Sequence, residues 1–369
     1  MKLDHVSIQN FKGLRELEFP GAAAPEALRG ITALLGDNGS GKTTALQAIA
    51  LTLSLATRRT QSPASFNWHG FMPERLSSLG PTVVELEVEF EPEEITLTQE
   101  LFEAWRESLP SDRRQAMRIV PPSDRPKVTL RLENGRVTSP QGFGAELQFL
   151  GRYYVKQLHR ARPDLRGHFS RLGDVFWFDQ YRNLGAIQGE ETRSDGRPDG
   201  GGGPLPVEAW RAGVEQLREY LVGQWAFHTS PGRRGKDYIP LLEAAFNRVF
   251  PGTKFVGVRP MADVGQGRSD FYFLIDRDDR EYDIAEMSSG EQAVFPLLYE
   301  FVRLDIGRSV VLIDELELHL HPPEQQRLLG ALPRLGPDCQ FLITTHSEYL
   351  TSVIPDEQEI RLERGIGCL

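Results

Sequence analysis

The chain has 369 residues and a formal net charge of −10, and 40% of its residues are hydrophobic and 25% are charged. This composition is typical of a globular protein of one or two domains. No apolar run is long enough to span a membrane and no apolar signal segment follows Met1, so we expect a soluble, cytoplasmic protein with no membrane partner. The acidic charge argues against a surface dominated by nucleic-acid binding, but a local basic groove would still allow DNA as a partner.

The first predicted elements lead into a phosphate-binding loop. Residues 3–9 and 17–19 have the composition of strands, and residues 31–35 form an apolar run before a glycine-rich segment and a helical pattern. That segment consists of Gly36, Asp37, Asn38, Gly39, Ser40, Gly41, Lys42, Thr43 and Thr44. A strand, a glycine-rich loop and a helix in this order form a complete P-loop, in which backbone N–H groups and the helix N-terminus bind phosphate. We therefore predict that these residues bind ATP.

Two side chains of this loop have specific predicted roles. Lys42 is expected to reach the β- and γ-phosphates of ATP, and Thr43 is expected to bind Mg²⁺ through its hydroxyl. A glycine-rich turn can also be purely structural, but the strand before it and the helix after it favour nucleotide binding.

The middle of the chain predicts a small antiparallel sheet and several helices. Residues 84–90 alternate between apolar and acidic side chains, and residues 128–132 alternate before Asn134-Gly135, which is a strong hairpin signal. Apolar residues recur at helical spacing over residues 97–109, 147–158, 207–221 and 242–249.

Two segments of the middle have more than one interpretation. Arg152, Lys156 and Arg160 lie on the outer faces of the helix predicted at 147–158. They could contact phosphates or form a solvated face, and we favour the solvated face because no aromatic residues alternate with them. Residues 189–206 contain a run of glycines and little that could be buried, so we predict a mobile surface loop.

A serine-rich segment in the C-terminal third is a second candidate for phosphate binding. It consists of Ser288, Ser289, Gly290 and Glu291, and it precedes a helical pattern. Hydroxyl and N–H groups at the start of a helix can bind phosphate, but they can also simply cap the helix.

Two carboxylates follow the apolar strand predicted at 309–313, namely Asp314 and Glu315. Ligands of open α/β sheets bind at the carboxyl ends of the strands, so both carboxylates are expected close to the P-loop. We expect Asp314 to hold Mg²⁺ and Glu315 to orient or deprotonate the water that attacks the γ-phosphate. Another strand, predicted at 340–343, is followed by His346, which either contacts the γ-phosphate or is structural.

Other candidates for a metal site are weak. His319 and His321 alternate on a short segment without a third ligand, so zinc is disfavoured. Cys339 and Cys368 are too few for a disulfide framework or a thiolate site. The ligands that the sequence predicts are therefore ATP and Mg²⁺.

Together these motifs resemble those of ABC-type ATPases. Residues 36–43 resemble the Walker A motif, residues 287–291 the signature motif, residues 310–315 the Walker B motif, and His346 the switch histidine. The flanking segments are similar to those of the branch that contains RecF, the SMC proteins, the overcoming-lysogenization-defect (OLD) ATPases and AAA family ATPases of Septu-like or PARIS-like defence systems. These segments are residues 10–14, 314–322 and 344–347.

The resemblance implies a fold class and a division of the chain. The fold would be an α/β P-loop NTPase of the ABC-type ATPase head, with a mixed central sheet, a small antiparallel sheet, a helical insertion and no coiled-coil arm. Residues 1–90 would form the N-terminal part of the head and residues 251–369 its C-terminal part. Residues 91–250 would form a variable, mostly helical insertion.

The resemblance also implies partners and further site residues. Two heads would dimerise around two ATP molecules, each bound by the P-loop of one protomer and by Ser289 and Gly290 of the other. Gln180 is our candidate for the Q-loop glutamine at the metal, and Arg182 is an alternative contact. Glu291 replaces the glutamine usual in this motif, and the missing coiled-coil insertion argues against SMC-style bridging of DNA. Because the chain ends soon after His346, we expect no TOPRIM nuclease domain in it.

Three functions are compatible with such a head. The first is an ATPase subunit that controls a separately encoded effector, such as a nuclease, in bacterial anti-phage defence, and the compact head favours it. The second is a RecF-like repair ATPase that binds DNA in its ATP-bound dimer, which a basic groove would support. The third is a transporter motor, and residues 10–12 and 317–321 argue against it. We expect the first.

Overall fold

The computed structural model describes most of the chain, and the chain divides into two compact units. The described residues are 1–20, 28, 30–66, 68, 71–77, 80–110, 120–180, 206–233, 235–262 and 270–362, with the backbone alone described at 206–215. The first unit contains Met1–Phe178, Asp305–Leu316 and Gly336–Leu369, and the second contains Asp179–Leu304 and Glu317–Leu335. The boundaries predicted at residues 90 and 250 come from the resemblance to the family head and differ from the boundaries of these two units. They stay a prediction.

The strands follow the chain in this order: β1 (Lys2–Phe11), β2 (Leu14–Phe19), β3 (Ile31–Gly36), β4 (Val83–Glu89), β5 (Lys127–Glu133), β6 (Arg136–Thr138), β7 (Val175–Phe178), β8 (Thr253–Pro260), β9 (Phe271–Arg277), β10 (Arg280–Asp283), β11 (Val310–Ile313), β12 (Gln340–Thr344) and β13 (Glu359–Leu362).

The α-helices are α1 (Lys42–Ala56), α2 (Pro92–Ser108), α3 (Phe143–Leu147), α4 (Gly151–Leu158), α5 (Pro206–Thr229), α6 (Ile239–Val249), α7 (Ser289–Arg303), α8 (Pro322–Leu335) and α9 (Glu348–Thr351). Short 3-10 helices lie at Pro63–Ser65, Pro73–Arg75, Gln148–Leu150, Pro163–Arg171, Ile284–Glu286 and Asp356–Gln358. Within the described residues, no helix combines the length and the apolar character needed to cross a membrane.

The first unit contains an antiparallel sheet in the order β2-β1-β4-β5-β6. Val84, Leu86 and Val88 of β4 are fully buried while Glu87 and Glu89 are exposed, as the alternating sequence predicts. The β5–β6 hairpin turns at Asn134-Gly135, where both residues have positive φ, as a tight hairpin turn requires. The predicted small antiparallel sheet is thus present.

The same unit contains a parallel sheet in the order β13-β3-β12-β11-β7. Every described pairing in it is parallel, so the predicted mixture of strand directions within this sheet is wrong. The physical reason is burial: β11 and β12 are buried at every position, which suits a parallel sheet covered on both faces. The strands with one wet face pair antiparallel in separate sheets instead.

Helix α1 is part of a hydrophobic core of the first unit. It packs against strands of both sheets, and its residues Leu46, Ile49 and Leu53 are fully buried. Its burial extends beyond the single face that the sequence predicts, because most of its other residues are also buried. The P-loop at its N-terminus is therefore attached to a helix that is buried in the core of the unit.

A second core of the first unit is formed by α2, α4 and the segment that follows α4. The helix predicted at 147–158 is divided into α3, a 3-10 turn and α4. The division places Gly151 against α2, where a Cβ atom would lie 2.8 Å from Thr98 Oγ1. Any larger residue here would force the side chains of Thr98 and Leu172 to shift, so glycine is favoured at this close approach.

The second unit contains the antiparallel sheet β10-β9-β8 together with α5 to α8. Phe255 packs edge-on against Phe273, and Phe246 packs edge-on against Phe295 of α7. The loop predicted at 189–206 lies outside the described residues except for Pro206, which is the first residue of α5.

Candidate nucleotide-binding site

The loop between β3 and α1 has a backbone that only glycine can adopt at its first position. Gly36 has φ of +148°, and a Cβ atom there would lie 2.4 Å from the carbonyl oxygen of Leu362 in β13 and 2.7 Å from Ser40 Oγ. Gly41, with φ of +97°, is the N-cap of α1. This backbone forms a concave anion site at the N-terminus of a long, buried helix, so the loop has the shape of a phosphate cradle.

The side chain of Lys42 lies inside this loop. Its Nζ donates hydrogen bonds to the carbonyl oxygens of Gly36 at 2.8 Å and Asp37 at 3.0 Å, and the residue is 6% exposed. The cation is thus held at the concave face of the loop, where phosphate oxygens would bind.

The next residue of α1 contacts the carboxylate that follows β11. Thr43 Oγ1 lies 3.0 Å from Asp314 Oδ1 and 2.9 Å from Oδ2. Asp314 is 1% exposed, and its N–H donates to the carbonyl oxygen of Phe178 at the end of β7. Sequence predicts both Thr43 and Asp314 as metal ligands, and the structure places their oxygens in contact.

Glu315 follows Asp314 and has an unusual backbone. Its φ is +47°, in the left-handed region that residues other than glycine rarely adopt. Its N–H donates to Thr344 Oγ1 at 2.8 Å, and the same hydroxyl donates to Asp314 Oδ1 at 2.6 Å. Both carboxylates are thereby connected to β12.

These groups line one cavity of about 270 Å³, formed entirely by residues of the first unit. The lining residues are Gly13, Leu14, Asn38, Gly39, Gly41, Lys42, Thr43, Thr44, Asp314, Glu315, Thr344 and His346. The P-loop, both predicted carboxylates and the predicted switch histidine therefore meet at a single site. Three P-loop residues of the prediction, Gly36, Asp37 and Ser40, belong to the same loop but do not line the cavity.

The predicted signature residues lie in the second unit, at the start of α7. Ser288 is the N-cap of α7 and forms a capping box with Glu291. Ser288 and Ser289 are exposed, whereas Gly290 is buried, and a Cβ atom at Gly290 would lie 3.0 Å from the carbonyl oxygen of His319. The segment thus has a helix-capping role, and an ATP contact by any of its residues stays a prediction.

The carboxylate of Glu291 is buried within this cap. Its Oε2 accepts hydrogen bonds from Ser288, and its Oε1 accepts one from the Tyr282 hydroxyl at 2.7 Å and lies 3.4 Å from Arg277 Nη1. Burial and this hydrogen bond raise the pKa of Tyr282. Glu291 thus supports the shape of the segment, and its predicted contact with ATP stays a prediction.

Gln180 lies two residues after β7 and belongs to the second unit. Its position after a strand next to β11 is compatible with a Q-loop. Arg182, the alternative contact, lies outside the described residues. The assignment of Gln180 to the metal stays a prediction.

Three residues that line the cavity have no role predicted from the sequence. Thr344 ends β12, Gly13 lies in the turn between β1 and β2, and Leu14 is the first residue of β2. The backbone at and before that turn has positive φ at Asn10 and Lys12. The sequence gives no signal for this conformation at a lysine. For Thr344, the sequence feature that indicates a place at the site is its position at the carboxyl end of the strand predicted at 340–343.

One of the three basic residues predicted on the outer faces of the helix at 147–158, Arg152, is buried. The Arg152 guanidinium donates to the carbonyl oxygen of Asp305 at 3.2 Å and lies 5.2 Å from the ring centres of Phe169 and Phe176. Burial lowers the pKa of Arg152 to about 10. Arg152 is 8% exposed, so both interpretations are wrong for this residue: it lies neither on a solvated helix face, which we favoured, nor on an outer face that contacts phosphates.

Comparison with known proteins identifies the family. Residues 31–352 match the model of the family described as "AAA domain, putative AbiEii toxin, Type IV TA system". The chain belongs to this family. It is thus an AAA-family ATPase, and the matched range includes every predicted site residue.

Two curated relatives of this AAA-family chain are described as retron ATPases. "Retron Ec83 probable ATPase" of Escherichia coli is 32% identical over 110 residues, which cover 27% of this chain and 20% of the relative. "Retron Vc95 probable ATPase" of Vibrio cholerae serotype O1 biovar El Tor is 33% identical over 89 residues, which cover 21% of this chain and 17% of the relative. The chain thus matches about a fifth of the length of each relative.

A solved structure shows the fold. The chain is similar to the protein in "Crystal structure of the SmcHead bound to the C-winged helix domain of ScpA", with a TM-score of 0.51, 14% identity, and coverage of 95% of this chain and 91% of the other. At this identity the likeness shows the fold alone. It confirms the predicted P-loop ATPase head fold for the AAA-family chain.

Proposed function

We propose that this protein binds and hydrolyses ATP in the cytoplasm, as an ABC-type ATPase of the RecF/SMC/OLD-like branch. The observation that carries the proposal is the single cavity in which Lys42, Thr43, Asp314, Glu315 and His346 meet. A phosphate-binding loop, a metal-binding carboxylate and a general base are the parts that phosphoryl transfer to water requires.

The residues at the site fit Mg²⁺ bound together with ATP. The hydroxyl of Thr43 and the carboxylate of Asp314 are hard oxygen ligands in mutual contact, and one or two such ligands plus substrate phosphates are the usual Mg²⁺ site. Bound Mg²⁺ would neutralise charge on the phosphate oxygens. Lys42 would hold the β- and γ-phosphates, and Glu315 would accept the proton of the attacking water.

Within this proposal, ATP binding joins two copies of the head. Ser288 and Ser289 are exposed at the N-terminus of α7, as contact with the γ-phosphate of a partner's ATP requires. The dimer would then control a separately encoded effector, such as a nuclease, in anti-phage defence of the kind seen in Septu-like or PARIS-like systems. The two relatives described as retron ATPases and the family description as a toxin–antitoxin system support this biological role.

Phosphate release tests the enzymatic part of the proposal. The purified protein should hydrolyse ATP only with Mg²⁺, and Asp314→Asn should lose this dependence together with most of the rate. Hydrolysis at the wild-type rate by Asp314→Asn would contradict the site. The biological role is tested by plaque counts on cells that carry the gene with its neighbours, where Lys42→Ala should abolish protection against phage.

A second candidate function, DNA binding by a RecF-like ATPase, is favoured by one observation. The last turn of α4 and the segment after it expose Lys156, Arg160, Arg162 and Arg166 on a protein that is acidic overall. Arg162 is paired with Asp164 at 3.0 Å, which reduces the charge available for phosphates. Fluorescence anisotropy with labelled duplex DNA, with and without ATP, decides between the two candidates, because only the second requires ATP-dependent DNA binding.

A further inference from the structure

One buried hydroxyl connects the two carboxylates of the site. Thr344, the last residue of β12, is 0% exposed, and its Oγ1 accepts the N–H of Glu315 at 2.8 Å while it donates to Asp314 Oδ1 at 2.6 Å. The hydroxyl has one hydrogen and two lone pairs, so both bonds form at once and fix its rotamer.

The first of these bonds supports the backbone of Glu315. Its left-handed φ of +47° needs support from its surroundings, since this conformation is unfavourable for a residue with a side chain. The N–H of Glu315 donates a hydrogen bond to the hydroxyl of Thr344, and the N–H of Leu316 donates one to the carbonyl oxygen of Thr344 at 3.1 Å. Thr344 thus accepts hydrogen bonds from two successive N–H groups, and these bonds determine where the chain turns after β11.

The second bond fixes the orientation of Asp314. Its Oδ1 is shared between Thr344, at 2.6 Å, and Thr43, at 3.0 Å, while Oδ2 lies 2.9 Å from Thr43. The hydrogen bonds from Thr344 and Thr43 together keep the carboxylate of Asp314 in contact with the hydroxyl of Thr43. Without Thr344, Asp314 would lose its shorter bond and could rotate away.

We propose that Thr344 is a positioning residue that aligns Asp314 for Mg²⁺ and Glu315 for the attacking water, an inference that rests on the proposed ATPase function. It acts through the two carboxylates and need not touch ATP. Groups that orient metal ligands in this way typically affect metal affinity or activity by about 10- to 100-fold.

Thr344→Val tests this role because it removes the hydroxyl but keeps the branched shape that suits a buried strand. We expect kcat to fall by about 10- to 100-fold and the Mg²⁺ concentration for half-maximal rate to rise. The Mg²⁺-dependent gain in affinity for a fluorescent ATP analogue should shrink, whereas affinity without Mg²⁺ should stay unchanged. Thr344→Ser keeps the hydroxyl and should restore these values.

Thr52→Val is the matched control. Thr52 is also 0% exposed, but its hydroxyl donates only to the carbonyl oxygen of Ala48 in its own helix, at 2.9 Å. A thermal unfolding midpoint for each variant separates a loss of positioning from a loss of fold. If Thr344→Val matches Thr52→Val in kcat and Mg²⁺ dependence, the proposal is overturned.

The two proposals can fail separately. If the wild-type protein does not hydrolyse ATP, the ATPase proposal fails, and the Mg²⁺-dependent binding of the analogue still compares Thr344→Val with the wild type. An unchanged Mg²⁺ effect in that comparison would overturn the role of Thr344.

Discussion

The ammonium of Lys42 lies 2.8 Å from the carbonyl oxygen of Gly36, so the last residues of the P-loop are hydrogen-bonded to its first. The same ammonium also holds the carbonyl oxygen of Asp37. A triphosphate that enters the loop would therefore contact a cation that already lies at the concave face of the loop. The lysine side chain has then lost most of its conformational entropy before ATP binds, so binding loses less.

Lys42→Ala should abolish ATP binding, because it removes the side-chain cation of the cradle. Isothermal titration with ATP and Mg²⁺ measures the effect. Lys127→Ala is the control, since Lys127 is an exposed lysine of the antiparallel sheet, paired with Asp4 at 2.5 Å. Normal ATP affinity in Lys42→Ala would refute the site.

Glu315→Gln should separate binding from hydrolysis. The amide keeps the size of the side chain but cannot accept the proton of water, while Asp314 remains available for Mg²⁺. The hydrolysis rate should fall by about 10² to 10⁴, and the protein should accumulate as an ATP-bound dimer. The measurements are phosphate release and mass by light scattering, each with and without ATP.

The control for this variant is Glu357→Gln, at an exposed position of the first unit. Near-normal hydrolysis by Glu315→Gln would show that the carboxylate has no catalytic role. Loss of ATP binding would show that it is needed earlier in the cycle.

Ser289→Arg should leave ATP binding by the monomer intact and prevent ATP-dependent dimerisation. Ser289 is exposed, and a bulky cation there would occupy the space of the partner's γ-phosphate. Light scattering of Ser289→Arg with ATP gives the mass, and titration gives the affinity. Ser230→Arg, at another exposed serine of the second unit, should dimerise normally. Full dimerisation of Ser289→Arg would mean that the segment is only a helix cap.

Glu291→Ala should destabilise the second unit by about 1–3 kcal/mol, because it removes the hydrogen bonds that Ser288 and Tyr282 donate to a buried carboxylate. Glu291→Gln should cost less, since a glutamine also completes a capping box. Urea unfolding measures both variants, with Glu281→Ala as control at an exposed pair with Arg259. Equal stability of Glu291→Ala and the control would show that this network contributes little.

Local sequence was sufficient to predict the site wherever a motif and its structure are contiguous. The P-loop is one such case, because its glycines, Lys42 and Thr43 lie between a strand and a helix that the apolar pattern identifies. Asp314 and Glu315 are another, since the four-residue strand before them is wholly buried. The capping role of Ser288 also followed from a local pattern.

Features that depend on distant partners could not be predicted in this way. Arg152 has the spacing of an outer helix face, but Phe169 and Phe176, which cover it, come later in the chain. Strand β13 is only four residues long, and its pairing with β3 provides its stability. The role of Thr344 depends on which strand lies next to β11, and that order is a property of the sheet.

The pairing of β3 with β12 has a consequence for how the site forms. Ile31 lies beside Phe341, so the strand that carries the P-loop has its neighbour near the other end of the chain. Contacts between such distant segments form slowly and late. During synthesis, β3 cannot pair with β12 until β12 has left the ribosome. Helix α1 can form early, but Thr43 gains Asp314 as a partner only afterwards. Nucleotide binding should therefore appear abruptly among nascent chains, once they are long enough for Thr344 to have left the ribosome.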